Sequence, residues 1–350
     1  MLYAVDQPCR QARPECSTLP FGGMNVLLAG DPAQLPPVGD LASYSTRGKC
    51  SRQQAAGRLL YEQFTESYIL TDSMRQAGSQ NSEFRDQLNR LSNGTFTKED
   101  WLAWRKRSLS KLDPSTQKLF EESGTKLCAL KVDMKTFNMS GLERTGMPLL
   151  VIHSKNSSGA ASFPSDRAGN IQNMIPIAKT CKVVLTENLW PDAKLFNGSQ
   201  GFVRYIIFPE GTRHATDMPA FLICHFPGYL GHAFLPGEEG TVPIFPVRKE
   251  WYDQKKLYSR TGYPLLLGYS LTIHKSQGMT MNKVITNLGP REFANGLAYT
   301  GSSRVPEIES MAFDPMPNLS RFTEFFETTS FKQMLAEKKK KMTRVSNRKL

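Results

Sequence analysis

The sequence predicts an α/β protein built on a mostly parallel sheet. Short, continuous apolar runs, such as residues 25–29 and 126–132, are typical of strands that are buried on both faces. Amphipathic stretches with helical spacing lie between such runs, as at residues 51–64 and 82–91. Strands that alternate with helices favour a parallel sheet with helices packed on it.

The remaining elements follow along the chain in the same alternating order. Residues 1–16 are typical of an amphipathic helix that runs into a polar loop. Thr97 and Asp100 have the spacing of a capping box and predict the start of another helix. Residues 154–170 are interpreted as a Ser/Gly-rich surface loop without visible chemistry. Further strands are predicted at residues 149–153, 182–187, 264–267 and 283–288.

The pattern changes near residue 200. Short apolar runs follow one another there with Pro and Gly between them and with no helical pattern, at residues 202–208, 221–226 and 242–247. This spacing is typical of a small barrel or an antiparallel sheet. We therefore interpret residues 204–262 as a small β module inserted into the α/β protein.

Composition excludes several classes of protein. The 350 residues are 39% hydrophobic and 22% charged, which is typical of a folded globular chain and not of a disordered one. No apolar run approaches the roughly 20 residues that cross a bilayer, so no membrane association is expected. The six cysteines form no CxxC pair, which predicts free thiols and no metal site.

The net charge of +12 is concentrated at one end of the chain. Residues 332–350 hold eight basic side chains and one acidic one, which gives +7 and leaves +5 on the preceding residues. A lysine run such as residues 338–341 is interpreted first as a solvated, disordered tail. Two alternatives stay open, a non-specific phosphate-binding arm and a nuclear import signal.

Three polar motifs carry the chemistry that the sequence predicts. They are GDPAQLPPV at residues 30–38, TIHKSQGMT at residues 272–280 and YTGSSRV at residues 299–305. The first two directly follow apolar runs, and the C-terminal edges of such strands hold ligands in α/β sheets. The prolines of the first motif predict a rigid loop that holds Asp31 and Gln34 in place.

These motifs, in this order, resemble those of superfamily-one DNA helicases of the 5′-to-3′ class, specifically the petite-integration-frequency (PIF) helicase family. The four segments are similar to motifs III, IV, V and VI of that family, with Met74-Arg75-Gln76 as motif IV. The resemblance covers roughly residues 1–315. The Pro20-Phe21-Gly22-Gly23 sequence is most similar to the helicase modules of Helitron-type transposons.

The resemblance implies RecA-like domains and a division of the chain. It gives residues 1–65 as a remnant of a first RecA-like domain, 66–203 and 263–315 as the two parts of a second, 204–262 as the inserted β module, and 316–350 as a basic C-terminal tail.

It also implies a nucleotide site and a DNA site. Gln34 corresponds to the sensor of the ATP γ-phosphate, and Arg75 and Arg304 correspond to arginines that contact the phosphates. The nucleotide-binding set that the family implies is Gly30, Asp31, Gln34, Arg75, Gln277, Gly278 and Arg304. The set that touches or relays to the single strand is Thr272, His274 and Lys275, with a satisfied core histidine as the alternative interpretation of His274.

The family uses ATP with Mg²⁺, and the resemblance implies single-stranded and forked DNA as partners, a monomer, a role in repair, recombination or telomere maintenance, and a location in the nucleus, with the mitochondrion as the alternative. The sequence contains no GxxxxGK[ST] phosphate-binding loop and no Asp-Glu pair at a strand end before residue 20. We therefore expect the C-terminal portion of a helicase that is inactive by itself. A non-enzymatic single-strand-binding module and a decayed transposon remnant are the alternatives.

Overall fold

The computed structural model describes residues 1–46, 48, 50–211 and 217–344, and it divides into two compact units. Unit 1 combines Met1–Ser123 with Thr280–Leu350, and unit 2 is Gly124–Met279. These units do not follow the five segments expected from the sequence, because neither boundary falls at residue 65, 203, 262 or 315. The assignment of those segments to helicase domains stays a prediction.

Helices dominate unit 1. The helices along the whole chain are α1 (Leu2–Ala12), α2 (Arg52–Glu62), α3 (Ser82–Asn93), α4 (Lys98–Arg105), α5 (Pro114–Ser123), α6 (Lys131–Glu143), α7 (Leu297–Ser302), α8 (Ser320–Thr323) and α9 (Thr329–Thr343). The predicted helices at residues 1–16, 51–64 and 82–91 are confirmed as α1, α2 and α3. Among the residues that the structure describes, no helix is long and apolar enough to cross a membrane.

Strands are concentrated in unit 2. They are β1 (Thr125–Cys128), β2 (Leu150–His153), β3 (Lys155–Asn156), β4 (Met174–Ile177), β5 (Lys182–Leu185), β6 (Gln200–Ile207), β7 (Phe221–His225), β8 (Thr241–Ile244), β9 (Val247–Asp253), β10 (Lys256–Gly262), β11 (Leu265–Leu267), β12 (Ser270–Thr272), β13 (Val284–Asn287) and β14 (Met311–Phe313). Parallel pairing joins β1 to β12 in unit 2 and β13 to β14 in unit 1, which confirms the α/β class.

An aromatic cluster forms the centre of unit 1. Trp104 is fully buried and contacts four phenylalanines from separate parts of the unit, Phe84, Phe96, Phe313 and Phe322. Its indole N–H donates to Gln87 at 2.6 Å, so the buried donor is satisfied. The predicted capping box is present, with Thr97 accepting from the Asp100 amide, and it fixes the start of the helix that carries Trp104.

The strand predicted at residues 25–29 does not form. This segment pairs with no strand in the described part of the chain, and Leu27 is 83% exposed. An isolated extended run gains neither ladder hydrogen bonds nor burial, and strands need both. The prediction of a buried strand at this apolar run is therefore wrong.

The inserted β module is wider than predicted. The three predicted strands near residues 202–247 pair antiparallel in one sheet, whose strand order is β11-β5-β6-β7-β8. The runs at residues 182–187 and 264–267, interpreted as parallel α/β strands, are two further members of that antiparallel sheet. Among the described strands, β11 and β8 remain its edges, so a closed barrel is not confirmed. Continuous apolar runs do not distinguish the two sheet types, because both contain buried strands.

A buried arginine organises the loop predicted at residues 154–170. Arg260 on β10 is fully buried and donates from its guanidinium to the side-chain oxygen of Asn156 at 2.8 Å. It also donates to the carbonyls of Ile171, Ala160 and Phe163 at 3.0, 2.8 and 2.9 Å. The loop is therefore fixed to the β9–β10 hairpin.

The basic tail is not a solvated terminus over the described residues. Residues 329–343 form α9, and its buried face includes Phe331, Met334 and Glu337. Tyr61 donates to the Glu337 carboxylate at 2.8 Å, and the Arg344 guanidinium donates to the Phe64 carbonyl at 3.1 Å. The lysine run is part of a packed helix, in which Lys338 and Lys341 are themselves half-buried. Residues 345–350 lie outside the described part.

Substitution of Phe331 tests this packing. Phe331 is buried against Phe325 and Phe326, with ring centroids 5.1 Å from each. Phe331→Ala should lower the free energy of unfolding by about 3–5 kcal/mol, since a buried phenyl ring is lost. Urea denaturation followed by circular dichroism measures the change. Lys332→Ala, at an exposed position of the same helix, is the control and should shift it by less than about 0.5 kcal/mol. Equal stability of Phe331→Ala and wild type would restore the solvated-tail interpretation.

Candidate functional site

The proline-rich loop of the first motif is held in one conformation. Its Asp31 carboxylate accepts from the Ala33 amide at 2.9 Å and from the Gln34 side-chain amide at 3.3 Å. The Gln34 amide donates to the Asp31 carbonyl at 3.1 Å and closes the turn. Gly30 immediately precedes this turn and is exposed. The loop therefore presents Gln34 from a fixed backbone.

Gly296 allows this loop to approach α7. Gly296 has a φ of +84°, and a Cβ added to it would collide with the Ala33 carbonyl oxygen. A side chain is excluded there both by backbone conformation and by space. The loop consequently lies against the N-terminus of α7, the helix that carries the first four residues of the third motif.

Two arginines meet at Ser303. Arg75 donates to the Ser303 carbonyl at 3.0 Å and to the Thr280 hydroxyl at 2.9 Å. Arg304 is 1% exposed and donates to the Ser303 hydroxyl at 2.7 Å and to the Thr300 carbonyl at 2.9 Å. Segments more than 200 residues apart in sequence are thereby joined through one serine.

Gln76 also connects the Met74-Arg75-Gln76 segment to the third motif. Its side-chain amide donates to the carbonyls of Val305 and Ser303 at 2.7 and 3.3 Å. The hydroxyl of Ser73 donates to the Gln76 side-chain oxygen at 2.9 Å and fixes the amide's orientation. Arg75 is therefore anchored by its neighbour as well as by its own contacts.

Burial lowers the pKa of both arginines, and the charge of Arg75 lowers the pKa of Arg304 further. Burial, and then the nearby Arg75 charge, lower the pKa of Arg304 to about 10. Burial also lowers the pKa of Arg75. Both groups stay protonated at neutral pH. Neither forms an ion pair with a carboxylate in the described ranges, so the positive field at Ser303 is available to an anion.

Tyr299 is a member of this cluster that sequence reasoning missed. Burial raises the pKa of Tyr299, and its hydrogen bond to the Asp31 carboxylate raises that pKa further. The phenol therefore stays neutral and connects the proline-rich loop to α7. Tyr299 is the first residue of the third motif and Thr280 the last of the second, so their positions inside the motifs were the available signal.

The polar residues within the third motif do not displace Arg304. Thr300, Gly301 and Ser302 are all buried in α7. The hydroxyls of Thr300 and Ser302 lack a hydrogen-bond partner in the part of the chain that is described. Their burial leaves the backbone of α7 intact, and the Thr300 carbonyl still accepts from Arg304.

The second motif forms a turn in unit 2. Thr272 ends β12 and is buried, and its carbonyl accepts from the amides of Lys275 and Ser276 at 2.9 and 3.2 Å. His274 and Lys275 are half-buried and line a cleft of about 260 Å³. Burial, and then the Lys131 charge, lower the pKa of His274.

The other expected nucleotide residues of this motif, Gln277 and Gly278, are exposed. Gly278 has a φ of +86°, with open space where a side chain would project. They lie in unit 2, whereas Asp31, Gln34, Arg75 and Arg304 lie in unit 1. Unit 1 therefore contains five of the seven expected residues, with Gly30 as the fifth, and the nucleotide-binding roles of all seven stay predictions.

Gly296→Ala tests the close approach of the proline-rich loop. The new methyl group would collide with the Ala33 carbonyl and strain the backbone, so stability should fall by about 1–3 kcal/mol or more. Gly39→Ala is the matched control, because Gly39 also has a positive φ, +74°, but open space around it. Urea denaturation of both variants separates collision from backbone strain. Equal losses would mean that the loop does not press on Gly296.

Comparison with known proteins agrees with this geometry. The model of the PIF1-like helicase family matches residues 1–101. The chain is 30% identical over 319 residues to ATP-dependent DNA helicase PIF6 of Trypanosoma brucei brucei, covering 85% of this chain and 37% of that protein. It is 27% identical over 313 residues to ATP-dependent DNA helicase PIF1 of Danio rerio, covering 85% and 42%. The chain thus spans about two-fifths of the length of these relatives.

Solved structures share the fold. One describes DNA unwinding at forked dsDNA by two coordinating Pif1 helicases, and it aligns with a TM-score of 0.61 at 20% identity over 97% of this chain and 72% of that one. A Bacteroides Pif1 helicase in complex with ADP-AlF3 and ssDNA aligns with a TM-score of 0.60 at 19% identity over 97% and 73%. Motif order, fold and relatives agree: residues 1–101 match the PIF1-like helicase family, and the chain is similar to PIF helicases over 85% of its length.

Proposed function

We propose that this chain is part of an ATP-dependent DNA helicase of the 5′-to-3′ class, which couples ATP hydrolysis to translocation and unwinding. The observation that carries the proposal is the meeting of Arg75 and Arg304 at Ser303. The Gln34 loop lies against the helix that leads into that serine. Relatives named as ATP-dependent DNA helicases support the same activity.

The two guanidiniums fit the chemistry of phosphoryl transfer. ATP supplies the phosphoryl group, and negative charge spreads over its oxygens in the transition state. Arg75 and Arg304 are planar donors with fixed orientation and full charge, so they stabilise that charge without reorganising. Gln34 is the proposed sensor of the γ-phosphate, and the hydrogen bond between Asp31 and Tyr299 would connect its loop to α7.

The remaining parts of the ATPase are assigned outside these 350 residues. The sequence lacks the GxxxxGK[ST] loop that cradles phosphates. In the described ranges, no group of three or more His, Cys, Asp or Glu side chains is arranged to hold a metal ion. We assign no Mg²⁺ ligand to this chain, and a segment with a phosphate-binding loop and an Asp-Glu pair is needed for turnover.

The second motif is the proposed contact with single-stranded DNA. The Lys275 ammonium donates to the Asn170 side-chain oxygen at 2.9 Å, which leaves it further N–H groups for a phosphate. Thr272 and His274 hold the turn that presents this lysine. Contacts of this type position a strand without reading its sequence.

Several finer features belong to the proposal through family similarity alone. They are forked DNA as a substrate, work in the nucleus or mitochondrion, a part in repair, recombination or telomere maintenance, a monomeric state, and membership of the Helitron-type subgroup. The Pif1 structure with two coordinating helicases leaves the number of copies on DNA to be measured.

ATP turnover with and without single-stranded DNA tests the catalytic proposal. The 350-residue chain should show background turnover only, and joining it to a segment that carries a phosphate-binding loop and an Asp-Glu pair should produce DNA-stimulated hydrolysis. In that longer protein, Arg304→Ala should lower kcat by about 10³-fold or more. Arg291→Ala, an exposed arginine of unit 1, is the control and should have no effect. Hydrolysis by the longer protein that survives Arg304→Ala would falsify the role of the arginine pair.

Salt dependence tests the DNA contact. The logarithm of the affinity for single-stranded DNA should fall with the logarithm of salt concentration by about 0.7 per neutralised phosphate. Lys275→Ala should make that slope shallower by about one such step, because one phosphate contact is lost. Fluorescence anisotropy at three salt concentrations measures it, with the exposed Lys135→Ala of α6 as control. An unchanged slope for Lys275→Ala contradicts the contact.

A non-enzymatic single-strand-binding module is the second candidate. Two aromatic residues of β9 are candidates for stacking on bases, and they differ in environment, since Tyr252 is 73% exposed whereas Trp251 stacks on Tyr258 at 6.0 Å between centroids. Trp251 also contacts Phe163, so it packs the hairpin. Strand binding without turnover in the longer protein would favour this candidate, and failure to fold would favour a decayed remnant.

A further inference from the structure

The cleft beside the second motif has mostly apolar walls. Its volume is about 260 Å³, below the ~300–1,000 Å³ of sites for drug-sized ligands. Leu185, Leu266, Leu271 and the Met279 side chain supply the apolar surface. The size and the walls fit one flat ring rather than a larger molecule.

Polar side chains, including His274 of the second motif, also line the cleft. Asn170, Thr186, Asn197 and Lys275 all line the cleft. Asn170 adopts a left-handed backbone conformation, with φ of +65°, at the end of the loop that Arg260 fixes. The loop predicted to be without chemistry therefore contributes a side chain to the cleft.

The Thr186 hydroxyl is the feature that points to a ligand. Thr186 is 8% exposed, and its hydroxyl has no hydrogen-bond partner among the residues that the structure describes. A buried hydroxyl without a partner is unfavourable, and native proteins satisfy most such groups. A ligand with a hydrogen-bonding edge would satisfy it.

The chemistry of the lining favours a nucleobase over a phosphate. Among the lining residues Lys275 supplies the one ammonium, which the proposed function assigns to a strand phosphate, so the other polar groups are left to recognise a neutral part of the strand. The remaining polar groups include a neutral hydroxyl and the amide of Asn197, which match the donors and acceptors on a base edge. The Leu and Met side chains match its apolar faces, and thioether sulfur contacts aromatic rings favourably.

Gly198 gives Met279 its position. A Cβ on Gly198 would lie 3.1 Å from the Met279 side chain, and the φ of Gly198 is +102°. Met279 therefore packs directly on the backbone next to Asn197. The turn at Gly198 therefore positions both the Met279 wall of the cleft and the side chain of Asn197.

We propose that this cleft receives one unstacked base of the single strand, with Thr186 and Asn197 on its edge and Leu271 and Met279 on its faces. The inference rests on the proposed function, since it assumes that a strand runs past Lys275. It adds a base contact to a strand otherwise held by its phosphates. Translocation would then release and recapture a base at each step.

The test compares two strands of equal charge. The full chain is titrated with oligothymidylate of about 12 nucleotides and with an abasic strand of the same length, which has the same phosphates but no bases. Wild type should bind the thymidylate more tightly. Thr186→Val should reduce that preference by about 3- to 10-fold, the equivalent of one hydrogen bond, and leave the affinity for the abasic strand unchanged.

Controls separate the base contact from damage to the fold. Thr136→Val, on the exposed face of α6, is the matched substitution and should keep the wild-type preference. Thr186→Val should retain or raise the melting temperature, because it removes an unsatisfied hydroxyl.

Four results would overturn the inference. An unchanged preference in Thr186→Val excludes a base at this hydroxyl, and an equal loss of affinity for both strands indicates a backbone contact. Wild-type binding to both strands with equal affinity excludes the base site but leaves the proposed helicase function standing. Absence of binding to either strand removes the proposed DNA contact, and the base site with it.

Discussion

The two guanidinium groups at Ser303 are the interaction on which the arrangement of unit 1 depends. Burying a cation costs several kcal/mol unless its donors are satisfied. Arg304 satisfies them with the Thr300 carbonyl and the Ser303 hydroxyl, and Arg75 with the Ser303 carbonyl and Thr280. Because the acceptors are neutral, the charge is held in place without being cancelled. That is the condition under which a site stabilises an incoming anion.

Unit 2 uses a buried arginine for a different purpose. Arg260 directs its donors to a side-chain amide and three carbonyls of one loop, and its ring neighbour is Trp251 at 5.9 Å. The loop then delivers Asn170 to the cleft beside Lys275. A buried arginine thus holds a loop in place in unit 2, whereas buried arginines provide positive charge at Ser303 in unit 1. The difference is that a second arginine lies beside the first in unit 1.

The C-terminal helix shows how charge and packing share one element. The lysines of α9 follow each other in sequence, yet Phe331, Met334 and Glu337 recur at helical spacing and are buried. Lys338 itself donates to the Ser92 hydroxyl and the Asn93 side-chain oxygen at 3.1 and 2.7 Å. Long basic side chains pack their stems while their charged ends reach polar partners. A charge count alone therefore underestimates the order of this segment.

The sequence by itself determined the α/β class, the helices α1 to α4 and the similarity to PIF helicases. These follow from local signals, namely helical periodicity, the Thr97 capping box and the motif strings, which do not depend on distant contacts. The motif strings also predict roles for Arg75, Arg304, Gln34 and Lys275, and those roles stay predictions.

Tertiary structure decided the rest. Whether an apolar run becomes a parallel strand, an antiparallel strand or an unpaired segment depends on which partners are present, and residues 182–187 and 25–29 illustrate the second and third outcomes. Tyr299 and Gly296 gained their roles from a close approach to residues 31–34 that no local pattern encodes. Contacts between segments far apart in sequence are fixed by packing and hydrogen bonding together, and only the folded chain brings them into reach.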